Sequence, residues 1–157
     1  MPIVANPNDV VYTPLNTARQ IVEHFAPKGK CLDPCKGGGA FLQFLPSDSD
    51  WCEIAEGRDF FDYDKQVDWI ISNPPYSIFD EWLAHSFQIA KNIVYAIPIT
   101  KAFTSTERIK MIKRNGGIKE ILVIGNGRHI GLPLGFACGA VHFQRDYRGD
   151  TRIEIAT

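Results

Sequence analysis

The chain has 157 residues, 45% of them hydrophobic and 22% charged, an ordinary globular balance that predicts one domain spanning 1–157. No apolar run approaches the ~20 residues needed to cross a bilayer, and Met1–Asn6 lacks the basic-then-apolar order of a signal peptide. A cytoplasmic location is therefore expected. The four cysteines, Cys31, Cys35, Cys52 and Cys138, are too few and too scattered for a disulfide framework, and no second ligand pair accompanies them for zinc.

The net charge of −1 is unevenly spread. Residues 1–100 hold 7 Lys/Arg against 13 Asp/Glu, whereas residues 101–157 hold 10 against 5. The basic share includes Lys101, Arg108, Lys110, Lys113, Arg114, Lys119 and Arg128. It suits either a polyanion or a merely solvated helix face.

Residues 1–11 read as an extended arm. Thr13 as N-cap and Pro14 as first helical residue predict a helix start after Tyr12. Leu15, Ala18, Ile21, Val22 and Phe25 then recur at helical spacing until Pro27 and Gly29. Lys30–Asp33 predicts a short strand ending in an acid. The Gly-rich turn Cys35–Gly39 follows, and then a helix over 40–45. Strand, acid, glycine turn and helix together make the nucleotide-cofactor turn of a doubly wound sheet. Its glycines let backbone pass close to a ligand. It is not a P-loop, because no Gly-Lys-Ser/Thr follows.

Trp51–Ile54 predicts a second strand ending near an acid, where a carboxylate binds ribose hydroxyls. Glu53 and Glu56 compete for that role. Asp59 and Phe60 follow so closely that the usual intervening helix is missing. They suit the amino group and the ring face of an adenine. The apolar run Val67–Ile71 reads as a buried strand that stops at Ser72-Asn73-Pro74-Pro75-Tyr76. Two prolines stiffen the backbone and leave carbonyls able to accept, while Tyr76 adds a flat face. That arrangement suits an exocyclic amino group on a planar ring.

Further on, 79–90 predicts a helix, 92–98 a strand and 104–113 a basic helix closed by Asn115-Gly116-Gly117. A strand over 118–124, a turn at 125–128 and a last strand over 139–144, antiparallel on the edge, complete the core. Residues 145–157 read as peripheral. His24, His85, His129 and His142 show no metal-ligand spacing and read as surface or core residues. The alternation predicts an α/β sandwich around a mostly parallel sheet.

Tyr12-Thr13-Pro14, Asp33-Pro34-Cys35-Lys36-Gly37-Gly38-Gly39 and Ser72-Asn73-Pro74-Pro75-Tyr76 occur in this order. Over residues 11–100 the chain thereby resembles the S-adenosylmethionine-dependent DNA amino-methyltransferases, specifically the adenine-N6 branch. The resemblance implies a Rossmann-like class I methyltransferase fold: an α/β, doubly wound, mostly parallel seven-stranded sheet with an antiparallel edge strand. It implies S-adenosyl-L-methionine as cofactor, held by Tyr12, Thr13, Pro14, Asp33, Pro34, Gly37, Gly39, Glu53, Asp59 and Phe60. It makes Asn73, Pro74, Pro75 and Tyr76 the catalytic set. The Asn73 side-chain carbonyl and the Pro74 main-chain carbonyl would accept the two N–H bonds of the target amine, and Tyr76 would stack on a flipped base. Ser72, Phe79, Lys101, Arg108, Lys110, Lys113, Arg114 and Arg128 are the expected substrate-binding residues, with DNA as the partner.

The family usually carries a sizeable target-recognition region. Here only residues 101–117 and 125–138 are available for it, so low or partner-assisted specificity, or a homodimer that shares the work, is expected. Such a minimal form fits a bacterial or bacteriophage setting and restriction-modification. Two alternatives stand beside this reading. One is an RNA base amino-methyltransferase on the same core. The other is a non-catalytic subunit that binds cofactor and nucleic acid. Glutamine methyltransferases are disfavoured, because the helical recognition domain they carry is missing from this sequence.

Overall fold

The computed structural model describes residues 3–6, 12–130 and 135–156, without the side chains of residues 129 and 130. Parts of the expected arm (1–2 and 7–11), of the 125–138 loop (131–134) and the His129 side chain lie outside the described residues. Among the described residues seven strands form one sheet: β1 Cys31–Asp33, β2 Asp50–Trp51, β3 Val67–Ser72, β4 Ala90–Pro98, β5 Gly116–Asn126, β6 Ala137–Arg145 and β7 Arg152–Ile155. Their order is β2-β1-β3-β4-β6-β5-β7. Every pairing is parallel except the two made by β6, which runs antiparallel to both β4 and β5. The α-helices of the described residues are α1 Leu15–Phe25, α2 Phe79–Ile89 and α3 Thr106–Asn115.

Period-two alternation across β3 and β4 builds the two halves of the core. Ile70 and Ile93 face one side, where they join Trp82, Leu83 and Phe87 of α2 and Met111 and Ile112 of α3. Ile71 and Val94 face the other, against Ala18, Ile21 and Val22 of α1 and Phe41 and Leu45 of the connection after β1. The sheet is thus covered on both faces, as its mostly parallel strands require. The α/β doubly wound class expected from the sequence is the observed one.

The structure corrects several elements. The antiparallel strand is β6, and it lies inside the sheet between β4 and β5. The edge position goes to β7, in the stretch read as peripheral. Its alternating Ile153 and Ile155 are exposed, so it shows no buried stripe. The predicted helix over 40–45 is a run of turns. Its bonds alternate between three- and four-residue spacing, with Phe44 N to Phe41 O at 3.0 Å and Gln43 N to Gly39 O at 3.3 Å. Six residues between a triple glycine and Pro46 are too few to nucleate a helix. The second strand is shorter than expected: Glu53 leaves it to pair with Arg58 around Gly57, whose φ is 78°. Pro14, not Thr13, is the residue before the first helical turn, and no side chain caps α1. In contrast Ser105 caps α3, accepting from Arg108 N at 3.3 Å.

Phe143 is fully buried and meets Phe87 and Tyr95 edge-on, with ring centroids 6.3 and 5.8 Å away. Phe143→Ala is therefore expected to cost about 3–5 kcal/mol in a urea melt, whereas Ile155→Ala on the exposed face of β7 should change stability by less than about 0.5 kcal/mol.

Candidate active site

The strand order fixes where a ligand can sit. From β1 the chain moves to β2 on one side and, further on, to β3 on the other, so the carboxyl ends of β1 and β3 flank a topological switch point. A cavity of about 690 Å³ opens there. That lies within the range of ordinary small-molecule sites.

Three sequence segments meet at it. Thr13 and Tyr12 arrive from the stretch before α1, Pro34 and Gly37 from the turn after β1, and Asn73 and Pro75 from the end of β3; all six line the cavity. Gly37 adopts a φ of 51° and Gly39 a φ of 85°, so both need the left-handed freedom of glycine. A Cβ on Gly37 would also press to 3.3 Å from the Tyr12 ring. Glu53, Asp59 and Phe60 complete the wall after β2.

Hydrogen bonds join these segments. The Asn73 amide nitrogen donates to the Thr13 hydroxyl at 3.3 Å. Thr13 thus serves the site instead of the helix cap. Beneath the cavity, the buried Ser72 hydroxyl donates to Asp33 Oδ1 at 2.9 Å, and Cys35 N donates to the same oxygen at 3.1 Å. Asp33 and Ser72 have no exposed surface. They are the floor of the site, not its lining. Burial pushes the Asp33 carboxyl up to about 7, against the lowering effect of its two donors, and Glu53 adds a further push upward. Asp33 Oδ2 has no hydrogen-bond partner among the described residues.

The two candidate ribose ligands differ in setting. Glu53 directs Oε1 to Gly37 N at 3.0 Å and Oε2 to Ala55 N at 3.3 Å, which holds its carboxylate against the glycine turn. Glu56 instead pairs with Lys36 at 2.8 Å and is half exposed. Lys36 also lies 4.2 Å from the Trp51 ring centroid. Asp59 accepts from Phe61 N at 2.9 Å and starts a 3₁₀ turn over Phe60–Asp62. Phe60 is nearly enclosed, 4.5 Å from Trp82 and 4.6 Å from His85 between ring centroids.

Other expected residues fall elsewhere. Pro74 is buried behind Asn73, and Tyr76 opens a 3₁₀ turn through Ile78. Pro14 stands before α1, outside the cavity lining, and Gly39 also lies outside it. Phe79 is 1% exposed and belongs to the core, so it offers no surface to a substrate. Arg108 is turned inward as well. Its guanidinium bonds Asp80 at 2.6 Å, Thr104 Oγ1 at 3.2 Å and the Lys101 carbonyl, and lies 4.6 Å from the Phe79 ring. Arg108 therefore links α3 to α2 and the loop after β4. Lys101 remains near the site, 5.8 Å from the Tyr76 ring. Lys110, Lys113, Arg114 and Arg128 are exposed.

Sequence reasoning missed Lys36 as a lining residue, although it lies within the glycine turn. It also missed Trp82 and Ile78, and residues 3–6 of the arm, all of which line the cavity. Helical phasing places Trp82 on the buried face of α2, but phasing alone does not reveal that its edge reaches a cavity. The arm is anchored by Asn6 N donating to Ser77 Oγ at 2.8 Å, a contact with no sequence signature. Cys31, Cys52 and Cys138 are buried, Cys35 is half-buried, and none of the four forms a disulfide.

No protein-family profile and no curated protein matches the chain in sequence. Solved structures match it in fold. A protein described as a class I S-adenosylmethionine-dependent methyltransferase from Listeria monocytogenes superposes with a TM-score of 0.65 at 13% identity, covering 88% of this chain and 62% of its own. The methyltransferase subunit of a type I restriction-modification system from Streptococcus thermophilus gives 0.63 at 14% identity over 92% of this chain and 47% of its own. A protein described as an RNA methyltransferase from Pyrococcus horikoshii gives 0.59 at 15% identity, covering 83% of this chain and 82% of its own. The chain thus spans 62% of the Listeria protein and about half of the restriction-modification subunit. Its fold is that of class I methyltransferases.

The raised Asp33 carboxyl has a pH consequence. Its folded-state value lies above the ordinary 3.8, so the folded state holds the proton longer than the unfolded chain. Stability from this group is fully present below about 4, falls as pH rises to about 7, and is flat beyond. Asp33→Asn keeps an acceptor for Cys35 and Ser72 and is expected to flatten this slope in melts between pH 5 and pH 8. An unchanged slope would contradict the assignment.

Proposed function

We propose that this chain is an S-adenosylmethionine-dependent methyltransferase acting on the exocyclic N6 amino group of adenine in DNA. The observation that carries the reading is the junction of Thr13, Asp33 and Asn73 at the strand switch point. There the three motifs that resemble adenine-N6 enzymes meet around one cavity.

The residues present fit the cofactor. The cavity wall carries three carboxylates, Glu53, Glu56 and Asp59, beside the single Lys36. Such a wall favours a cationic ligand. Glu53 is positioned to accept ribose hydroxyls, since its oxygens retain lone pairs after bonding Gly37 and Ala55. Asp59 would accept from an adenine amino group, with Phe60 and Trp82 beside the ring. The Gly37–Gly39 turn would admit the ligand's backbone-close portion. When bound, S-adenosylmethionine supplies a methyl group on a sulfonium.

The rest of the chemistry falls to the chain itself. An amine conjugated to a purine ring is a poor nucleophile because its lone pair is delocalised. The Asn73 side-chain oxygen and the Pro74 carbonyl would each accept one of its N–H bonds. Fixing both hydrogens favours a pyramidal nitrogen with its lone pair directed away from the ring. Preset acceptors and placement provide this without reorganisation. The two prolines and the Thr13 bond keep Asn73 in place. Tyr76 would stack on the base once it leaves the duplex. Lys101, Lys110, Lys113, Arg114 and Arg128 would contact phosphates, and the exposure of the last four suits that role. Arg108 and Phe79 drop out of the proposed interface. Low or partner-assisted specificity, with a second copy or another subunit completing the recognition surface, is part of this proposal.

The test is Asn73→Ala. Methyl transfer to unmethylated DNA is expected to fall at least a thousandfold while cofactor affinity stays within about threefold. Glu53→Ala should do the opposite, weakening cofactor binding at least tenfold. Full activity in the Asn73 variant would overturn the proposal. Transfer confined to RNA would support the alternative of an RNA base amino-methyltransferase, and cofactor binding without any transfer that of a non-catalytic subunit.

A further inference from the structure

On the α1 side of the sheet, away from the cavity, a second cluster of potential ligands draws in three elements. The register pairs Glu120 of β5 with Arg152 and Leu122 with Glu154 of β7. Glu120 and Leu122 are two apart on β5, so they share a face, and Glu154 opposite Leu122 shares it too. His24, in the last turn of α1, reaches the same spot. Its Nε2 contacts Glu120 Oε1 directly and lies 3.9 Å from Glu154 Oε2. One ligand atom from each of the three residues falls within 4.8 Å of the other two. All three side chains are partly shielded from solvent.

We propose that His24, Glu120 and Glu154 form a binding site for a divalent transition-metal ion of the zinc class. One imidazole and two carboxylates are a borderline donor set that suits Zn²⁺ better than Mg²⁺ or Ca²⁺, which take oxygen ligands. Ligand atoms bound tetrahedrally at ~2.0–2.2 Å lie roughly 3.3–3.6 Å apart. The 3.9 Å His24–Glu154 gap needs only a small contraction, and the His24–Glu120 contact needs a small opening. Both are side-chain movements. A cleft of about 420 Å³ lined by His24 and Glu154 adjoins the cluster and leaves room for a water as the fourth ligand.

The surrounding charges permit this. Arg152 pairs with Glu154 Oε2 at 2.5 Å, but it is 68% exposed and can withdraw into solvent. Arg19, which also lines the cleft, lies 5.5 Å from the Phe44 ring centroid. His142, opposite Glu120 in the ladder, is occupied by Asn92 at 2.9 Å and takes no part. A bound metal would replace the direct His24–Glu120 contact, and because metal ligands must be deprotonated, its affinity weakens at low pH. It would also bind the edge strand β7 to β5 and to the C-terminal end of α1. The expected effect is structural, because the cluster belongs to α1, β5 and β7 and none of its residues lines the methyl-donor cavity.

The test uses the full chain, stripped with a chelator and titrated with ZnSO4 by calorimetry, with parallel melts. The wild type is expected to bind one equivalent. At a hundredfold excess of Zn²⁺ over its dissociation constant, Tm should rise by roughly 5–10 °C. Glu154→Gln, which lies on the exposed edge strand, and Glu120→Gln should each lower affinity at least tenfold, with folding verified by circular dichroism. Co²⁺ substitution should give a d–d spectrum without a thiolate charge-transfer band, which separates this site from the four cysteines. No saturable binding by the wild type, equal affinity in both variants, or a thiolate band would overturn the proposal.

Discussion

The hydrogen bond from Ser72 to Asp33 holds two neighbouring strand ends in fixed relation, and the candidate site is built on it. Asp33 closes β1 and begins the glycine turn. Ser72 closes β3 and begins the proline pair. The bond is fully buried, so water cannot substitute for it, and losing either partner would strand a polar group in the core. It also keeps an acid in an apolar setting where its ionised form is disfavoured. The cost of that setting is tolerated because the same carboxylate orders Cys35, the first residue of the turn.

Above this floor a second tie, Asn73 to Thr13, brings in the segment that precedes α1. Positions 13, 33 and 73 are thereby coupled although the chain separates them widely. The doubly wound topology explains why they can meet. Chains leave β1 for opposite sides of the sheet, and a crevice opens where they part. The proline pair then keeps the end of β3 from relaxing into the crevice. A stiff acceptor, a shaped wall and an acidic lining are the features on which the proposed transfer to a weakly nucleophilic amine would draw.

Much of this was legible in the sequence, for a physical reason. Motifs at strand ends are short, local and chemically unusual, so Asp33-Pro34 followed by glycines and Asn73-Pro74-Pro75-Tyr76 identify themselves. Thr13 stands in the sequence context of a helix cap, whereas its actual partner is 60 residues away. Positions whose role depends on long-range packing were not legible. Arg108 has the local signature of a surface cation, yet Asp80 and Phe79 draw it inward. β7 carries no buried stripe, because only its backbone edge is used. The 40–45 run has helical apolar spacing but too little length between glycine and proline. Residues 24, 120 and 154 share no spacing that sequence could reveal, and only strand register makes them neighbours.

Whether the cavity and the Asn73 acceptor together methylate adenine in DNA is tested most directly by following a labelled methyl group. The purified chain is incubated with methyl-labelled S-adenosylmethionine and unmethylated DNA, in parallel with RNA, and the products are digested and separated as nucleosides. The expected result is label in N6-methyl-2′-deoxyadenosine from the DNA reaction, dependent on Asn73. Label only in ribonucleosides, or only in cytosine derivatives, or no label in either nucleic acid, would contradict it.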